Sequence, residues 1–170
     1  MGILSKDEIL KEIKKQNLTI SPFNKNNLGA ASYDLTLDEE FRIFDLNLKV
    51  FNVEENSDYK KLSSFKKTKS IILQPGDFAL GITKETINLN SNICGWLSGR
   101  SRFARLGIGV HVTSNFVQPG IDNKQVLEIK NLGNTPLKIN AGTRIIQIIF
   151  ERIEGKVSKY KGKFVKQTEI

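Results

Sequence analysis

Cysteine and histidine are almost missing from this 170-residue chain, which carries one of each, Cys94 and His111. A lone cysteine rules out an intrachain disulfide and fits a reducing compartment. One His and one Cys also cannot build a zinc site of the His/Cys/Cys type, and the H-x-E and P-C-x-x-C spacings of zinc-dependent nucleobase deaminases are absent. No apolar run approaches the roughly 18 residues of a membrane-crossing helix, so no membrane partner is expected. Lys6 and Asp7 stand where a secretory signal needs its apolar stretch, and position 6 lacks the Ser or Thr of a myristoylation pattern. A cytoplasmic location is therefore expected. Acidic residues are the minority charge: 18 Asp and Glu face 26 Lys and Arg, a net charge of +8. That excess, concentrated in Lys60–Lys69 and Lys156–Lys166, suits a polyanionic partner, either a nucleotide or a nucleic acid.

The length suits one domain with one core. Ser5-Lys6-Asp7-Glu8 reads as a capping box, followed by the apolar helical stripe Ile9, Leu10 and Ile13 that fades near Gln16-Asn17. Residues 22–29 read as a loop. From Ala31 onward come short β-type runs: Ser32–Leu37, Glu40–Phe44, Lys49–Val53, Ser70–Leu73, Phe78–Thr83, Ile93–Leu97, Gly109–Val112, Gln125–Asn131, Leu137–Ile139 and Arg144–Ile153. Turn chemistry separates them at Pro75-Gly76, Pro119-Gly120, Gly133-Asn134 and Ala141-Gly142. Many short strands at this spacing predict a mostly β sandwich or jelly roll with a short N-terminal α-helix. Trp96, in an apolar run, is expected in the core. Phe116 and Phe164, beside polar text, are better placed to stack on a base.

Gly99-Arg-Ser-Arg-Phe-Ala-Arg105 packs three guanidinium groups and a hydroxyl into seven residues between two apolar runs. Arg presents a planar fork of donors that matches phosphate oxygens two at a time. The segment reads as a bend between strands; a basic loop facing water is the plainer alternative. In Val126-Leu-Glu-Ile129, alternation points Glu128 with Val126 and Lys130, opposite Leu127 and Ile129. Such a carboxylate either faces solvent or is deliberately sheltered.

These stretches, with Ala31-Ser-Tyr-Asp-Leu35, His111-Val-Thr-Ser-Asn115 and Pro119-Gly120, resemble in order and spacing the dCTP deaminase branch of the trimeric dUTPase superfamily. The family text is close to A-S-Y-D-L, G-R-S-S-x-A-R-L-G, V-H-x-T-A, P-G-x-x-G and L-E-x-x-N, and the similarity reaches from Ile3-Leu-Ser5 to Lys159-Tyr160-Lys161-Gly162. The resemblance implies a distorted, dUTPase-like β-barrel over residues 1–155, a basic tail over 156–170 that closes on the nucleotide, and a homotrimer with sites at subunit interfaces. It implies deamination of dCTP to dUTP and ammonia without zinc, with Glu128 as general acid and base and Ser101, Arg105 and Ser114 beside it. It further assigns the nucleotide to Arg100, Arg102, Gln118, Gln147, Tyr160, Lys161 and Lys163. Mg²⁺ would accompany the triphosphate rather than occupy a protein cage. A nucleic-acid partner is not expected. His111 reads as a hydrogen-bonded structural residue.

The chain departs from the family text at four points. Arg102 replaces the second Ser of the bend, Ser114 replaces Ala, Asn123 replaces the last Gly of P-G-x-x-G, and Gln118 stands where dUTP-hydrolysing relatives use Asp. An amide can hold a water but cannot take its proton, so Gln118 weighs against the alternative activity, cleavage of dUTP to dUMP and pyrophosphate, alone or in tandem with deamination. Asn123 is expected to keep the turn because Asn tolerates positive φ.

Overall fold

Alternating burial along the chain produces a curled sheet whose concave side holds the core. The structure, a computed structural model, describes residues 2–44, 50–158 and 160–170. The elements run β1 (Gly2–Ile3), α1 (Lys6–Lys14), β2 (Leu18–Ser21), β3 (Tyr33–Phe44), β4 (Ser63–Lys67), β5 (Ser70–Leu73), β6 (Phe78–Leu89), β7 (Ile93–Gly99), α2 (Ser101–Ala104), β8 (Ile108–Gly109), β9 (Phe116–Val117), β10 (Asp122–Asn131), β11 (Leu137–Asn140) and β12 (Arg144–Arg152). Strand order in the main sheet is β8-β10-β6-β3-β12-β7-β9, with β1 on β12, β2 on β6 and β4 on β3; β11 and β5 form a separate pair. Every pairing is antiparallel. Inward residues such as Tyr33, Leu35, Leu37, Phe41, Leu127, Ile129, Ile146, Ile148 and Phe150 are fully buried. The mostly β architecture expected from the spacing of short runs is thus the architecture found.

Ser5 caps α1 as expected, its hydroxyl accepting from the Glu8 N–H at 3.4 Å. The helix packs Ile9 into the core and is tied to β12 by Arg152, whose guanidinium lies 2.8 Å from Glu8 and 2.7 Å from Glu12. Ser32–Leu37 and Glu40–Phe44 merge into the single strand β3, because the register shift between Leu37 and Phe41 bends the strand without ending it. The four short strands β1, β2, β4 and β9 have no counterpart among the expected runs. Their two to five residues carry too little alternation to read. The run expected at Lys49–Val53 begins on Lys49, outside the described residues, and 50–53 form no strand.

Trp96 corrects a second expectation. Although flanked by buried neighbours, it is 39% exposed, tilts against Phe116 at 4.8 Å between ring centroids, and donates from its indole N–H to Glu151 at 3.0 Å. Its polar edge is satisfied only on the outer face of β7, which decides the side it takes. Asn123 needs no left-handed backbone: it lies inside β10 opposite Ile87, and the one non-glycine residue with positive φ among those described is Gln16. Among the described residues no helix is long and apolar enough to cross a membrane.

Candidate active site

β10 carries Glu128 on the face opposite Leu127 and Ile129, as alternation requires, and there the side chain is half-buried rather than immersed in solvent. The preceding loop wraps over it. The Thr113 hydroxyl donates to Glu128 Oε1 at 2.7 Å, and the backbone N–H groups of Thr113 and Ser114 both donate to Oε2, the latter at 3.3 Å. Burial pushes this carboxyl up. The hydrogen bonds from the Thr113 side chain and from the Thr113, Ser114 and Val112 backbone outweigh it and hold the group below the usual carboxylate range. Glu128 is therefore an anion at neutral pH, prepared to accept a proton. Thr113 is the Glu128 partner that motif reading passed over, although the fourth position of V-H-x-T-A was its signal.

Replacing Thr113 by Val removes the hydroxyl donor and leaves the shape. The carboxyl then rises toward its ordinary range, so the acid limb of the kcat/KM profile should move to higher pH, while at neutral pH, where the group stays ionised, kcat/KM should change by no more than about threefold. A pH–rate profile of Thr113→Val beside the parent checks this.

Glu128 opens onto a cavity of about 500 Å³, whose walls include Leu97, Ser114, Phe116, Gln118, Asn123, Gln125, Tyr160, Phe164 and Gln167. The volume lies within the usual span of small-molecule sites. Apolar and aromatic walls carry a few convergent polar groups, and among the described residues Glu128 is the one acid on the lining. Four of the expected site residues, Glu128, Ser114, Gln118 and Tyr160, thus share one wall system. Lys161 lines an adjoining hollow with Gln118 and Tyr160. Lys163 is exposed and lies over the Phe164 ring, 5.8 Å from its centroid. The first residue of the tail motif, Lys159, is outside the described residues.

The arginine-rich bend folds as α2, with Ser101, Arg102 and Arg105 all exposed and none of them lining the cavity. Arg105 makes no ion pair with Glu128 among the described residues of this chain. Arg100 is engaged elsewhere, its guanidinium 3.0 Å from Asp34 of the Ala31–Leu35 motif, with Arg144 3.9 Å from the same carboxylate. Burial pushes the Asp34 carboxyl up against the pull of Arg100, Arg144 and Arg102. Gln147 sits opposite Asp34 and Ser98 in the strand register and accepts from the Ser32 hydroxyl at 2.9 Å. One chain therefore presents two polar centres: a sheltered carboxylate cavity, and a cluster of cations and amides around the end of β12. The hydrogen-bonded role expected of His111 is not met at Nδ1, which is buried with no partner among the described residues. Cys94 is buried, which pushes its thiol up and suits packing rather than nucleophilic attack.

A donor set for a protein-held metal is lacking among the described residues: no three His, Cys, Asp or Glu side chains converge. A divalent cation at this site would draw its ligands from a bound phosphate chain and from water.

A family model described as dCTP deaminase-like matches residues 3–153. The chain is 33% identical over 177 residues to the dUMP-forming dCTP deaminase of Methanosphaera stadtmanae, covering 95% of this chain and 90% of that one. It is 34% identical over 163 residues to the dCTP deaminase of Shewanella amazonensis, covering 89% and 84%. Among solved structures, the 2′-deoxycytidine 5′-triphosphate deaminase of Agrobacterium tumefaciens superposes with a TM-score of 0.69 at 20% identity, covering 90% of this chain and 49% of that one. The chain thus spans about half the length of that solved relative, and the likeness bears out the barrel-type β fold.

Proposed function

Because the chain belongs to the dCTP deaminase-like family, we propose that it hydrolyses the exocyclic amine of dCTP, giving dUTP and ammonia, with Glu128 as the proton carrier. The observation that carries this reading is the Glu128 carboxylate itself, kept ionised by Thr113 and Ser114 on the wall of a nucleotide-sized cavity.

The balance of the step is simple. Glu128 takes a proton from a water as its oxygen bonds to C4 of the cytosine ring, and delivers that proton to N3. The tetrahedral carbon then collapses to the carbonyl, and the C4–N bond breaks. The second hydroxyl proton passes, again through the carboxylate, to the departing amine, which leaves as ammonia. A carboxyl held low is ionised and free to take the first proton, and once protonated it gives that proton up readily; closing water out around the ring raises its basicity for the first transfer. Phe116 and Phe164, both on the cavity wall, supply the apolar surface against which a pyrimidine stacks.

Ser101, Arg102 and Arg105 lie away from the cavity of their own chain, so the reading takes them from a neighbouring copy in a homotrimer. There Arg105 and the Ser101 hydroxyl meet the reacting centre, and Arg100, Arg102 and Gln147 meet the triphosphate. Tyr160, Lys161 and Lys163 close from the tail. Mg²⁺ bound to the triphosphate would offset its charge, and the proton transfers are left to Glu128. Zinc has no part in them.

The competing reading is that dUMP is the final product, as in the dUMP-forming dCTP deaminase of Methanosphaera stadtmanae. Gln118, on the cavity wall in place of an acid, favours stopping at dUTP. Incubation of the purified protein with dCTP and Mg²⁺ tests the proposal: ammonia and dUTP should appear in equal amounts. No ammonia from dCTP overturns it.

A further inference from the structure

Asn123, the residue that replaces the last glycine of the turn motif, is buried at 8% exposure and has a definite partner. Residues 160–170 lie back on their own chain, running along β10 in the same direction. The Asp122 N–H donates to the Val165 carbonyl at 2.9 Å and the Lys124 N–H to the Gln167 carbonyl at 2.8 Å. Between those two bonds, Asn123 Nδ2 donates to the Phe164 carbonyl at 2.6 Å, while its Oδ1 accepts from Gln125 Nε2 at 2.6 Å. A carbonyl only accepts, so the Asn123 amide has one possible orientation here, and Gln125 supplies the donor that its oxygen needs. The Gln125 backbone is itself fixed, its N–H bonded to the Thr83 hydroxyl at 2.9 Å. Further on, Ile170 is 4% exposed and packs with Leu80 and Ile82.

Backbone bonds alone do not set where an extended segment stops, since a slide of two residues restores the same ladder. A buried side-chain bond to one particular carbonyl does set it. We propose that Asn123 is a positioning residue that latches the basic tail in a single register over the Glu128 cavity of its own chain, thereby fixing Tyr160, Phe164 and Gln167 on the wall of that cavity. Gly162 is part of the same device: the Tyr160 ring lies so close against it that any side chain there would displace the ring.

The kinetic arm of the test rests on the proposed deaminase reading; the structural arms do not. Asn123→Asp keeps the oxygen that Gln125 requires and removes only the donor to Phe164. Trypsin cleavage at Lys161, Lys163 and Lys166 should then accelerate about tenfold, tracking a larger open population. The KM for dCTP should rise by about the same factor with kcat within about twofold of the parent, because the tail adds binding and not proton transfer. Asn123→Ala should behave alike. A folded variant, judged by its melting temperature, with parent-like cleavage and parent-like KM overturns the latch. Hydrogen exchange in the unaltered protein gives a check that needs no variant: the Asp122 and Lys124 amides should be protected, and fast exchange at both overturns it too. If dCTP is not turned over at all, the cleavage and exchange results still decide the latch, so the two failures are told apart.

Discussion

Glu128→Gln should lower ammonia release from dCTP about a thousandfold or more, at unchanged nucleotide affinity within a few-fold. The amide cannot take a proton from water, and general acid–base groups contribute about 10²–10⁴ to rate; here one group serves both directions, so the upper part of that range applies. The substitution also meets a local conflict. Oε1 accepts from the Thr113 hydroxyl and Oε2 from the Thr113 and Ser114 N–H groups, whereas Gln turns an NH₂ toward one of these two positions. Binding of dCTP by titration calorimetry and a melting curve separate lost chemistry from a disturbed loop. Retention of most activity in a folded Glu128→Gln protein would sink the acid–base assignment.

The second large effect concerns the product. Gln118 reaches the cavity wall at the start of the turn into β10, where it can hold a water by hydrogen bonds. Without a carboxylate to accept the proton, attack on the phosphate chain loses its base, a loss of at least about a hundredfold by the same scale. Product analysis with dCTP, and separately with dUTP, should therefore show dUTP as the end product, with dUMP and pyrophosphate at no more than about a hundredth of it. Gln118→Asp should raise pyrophosphate release. Abundant dUMP from the parent protein would overturn the reading given to Gln118 and leave that of Glu128 standing, since deamination and phosphate cleavage draw on different residues.

Much of the architecture was legible because strand alternation and turn residues are local signals. The helix cap at Ser5, the face taken by Glu128 and the long strands β10 and β12 all follow from spacing within a few residues. What escaped was set by partners distant in sequence. β4 exists because β3 offers an edge to it, and Trp96 turns outward because Glu151, 55 residues later, receives its indole N–H. Thr113 gains its role only when the loop folds over β10, and Asn123 gains its role only when the tail, 41 residues further on, returns to it. Arg100 is a related case. Its donor chemistry was plain, whereas its pairing with Asp34 depends on β7 and β3 lying on either side of β12.

The tail along β10 also bears on solubility. Whenever it lifts, the N–H groups of Asp122 and Lys124 are left bare, and a bare strand margin is a template for pairing with another molecule. Charge is the guard in those moments: Asp122 is exposed, and the Lys124 ammonium sits 2.9 Å from Asp38, so two copies brought together there must bury unlike and like charges at once. A chain clipped at its basic lysines loses the cover permanently and has only that guard against aggregation.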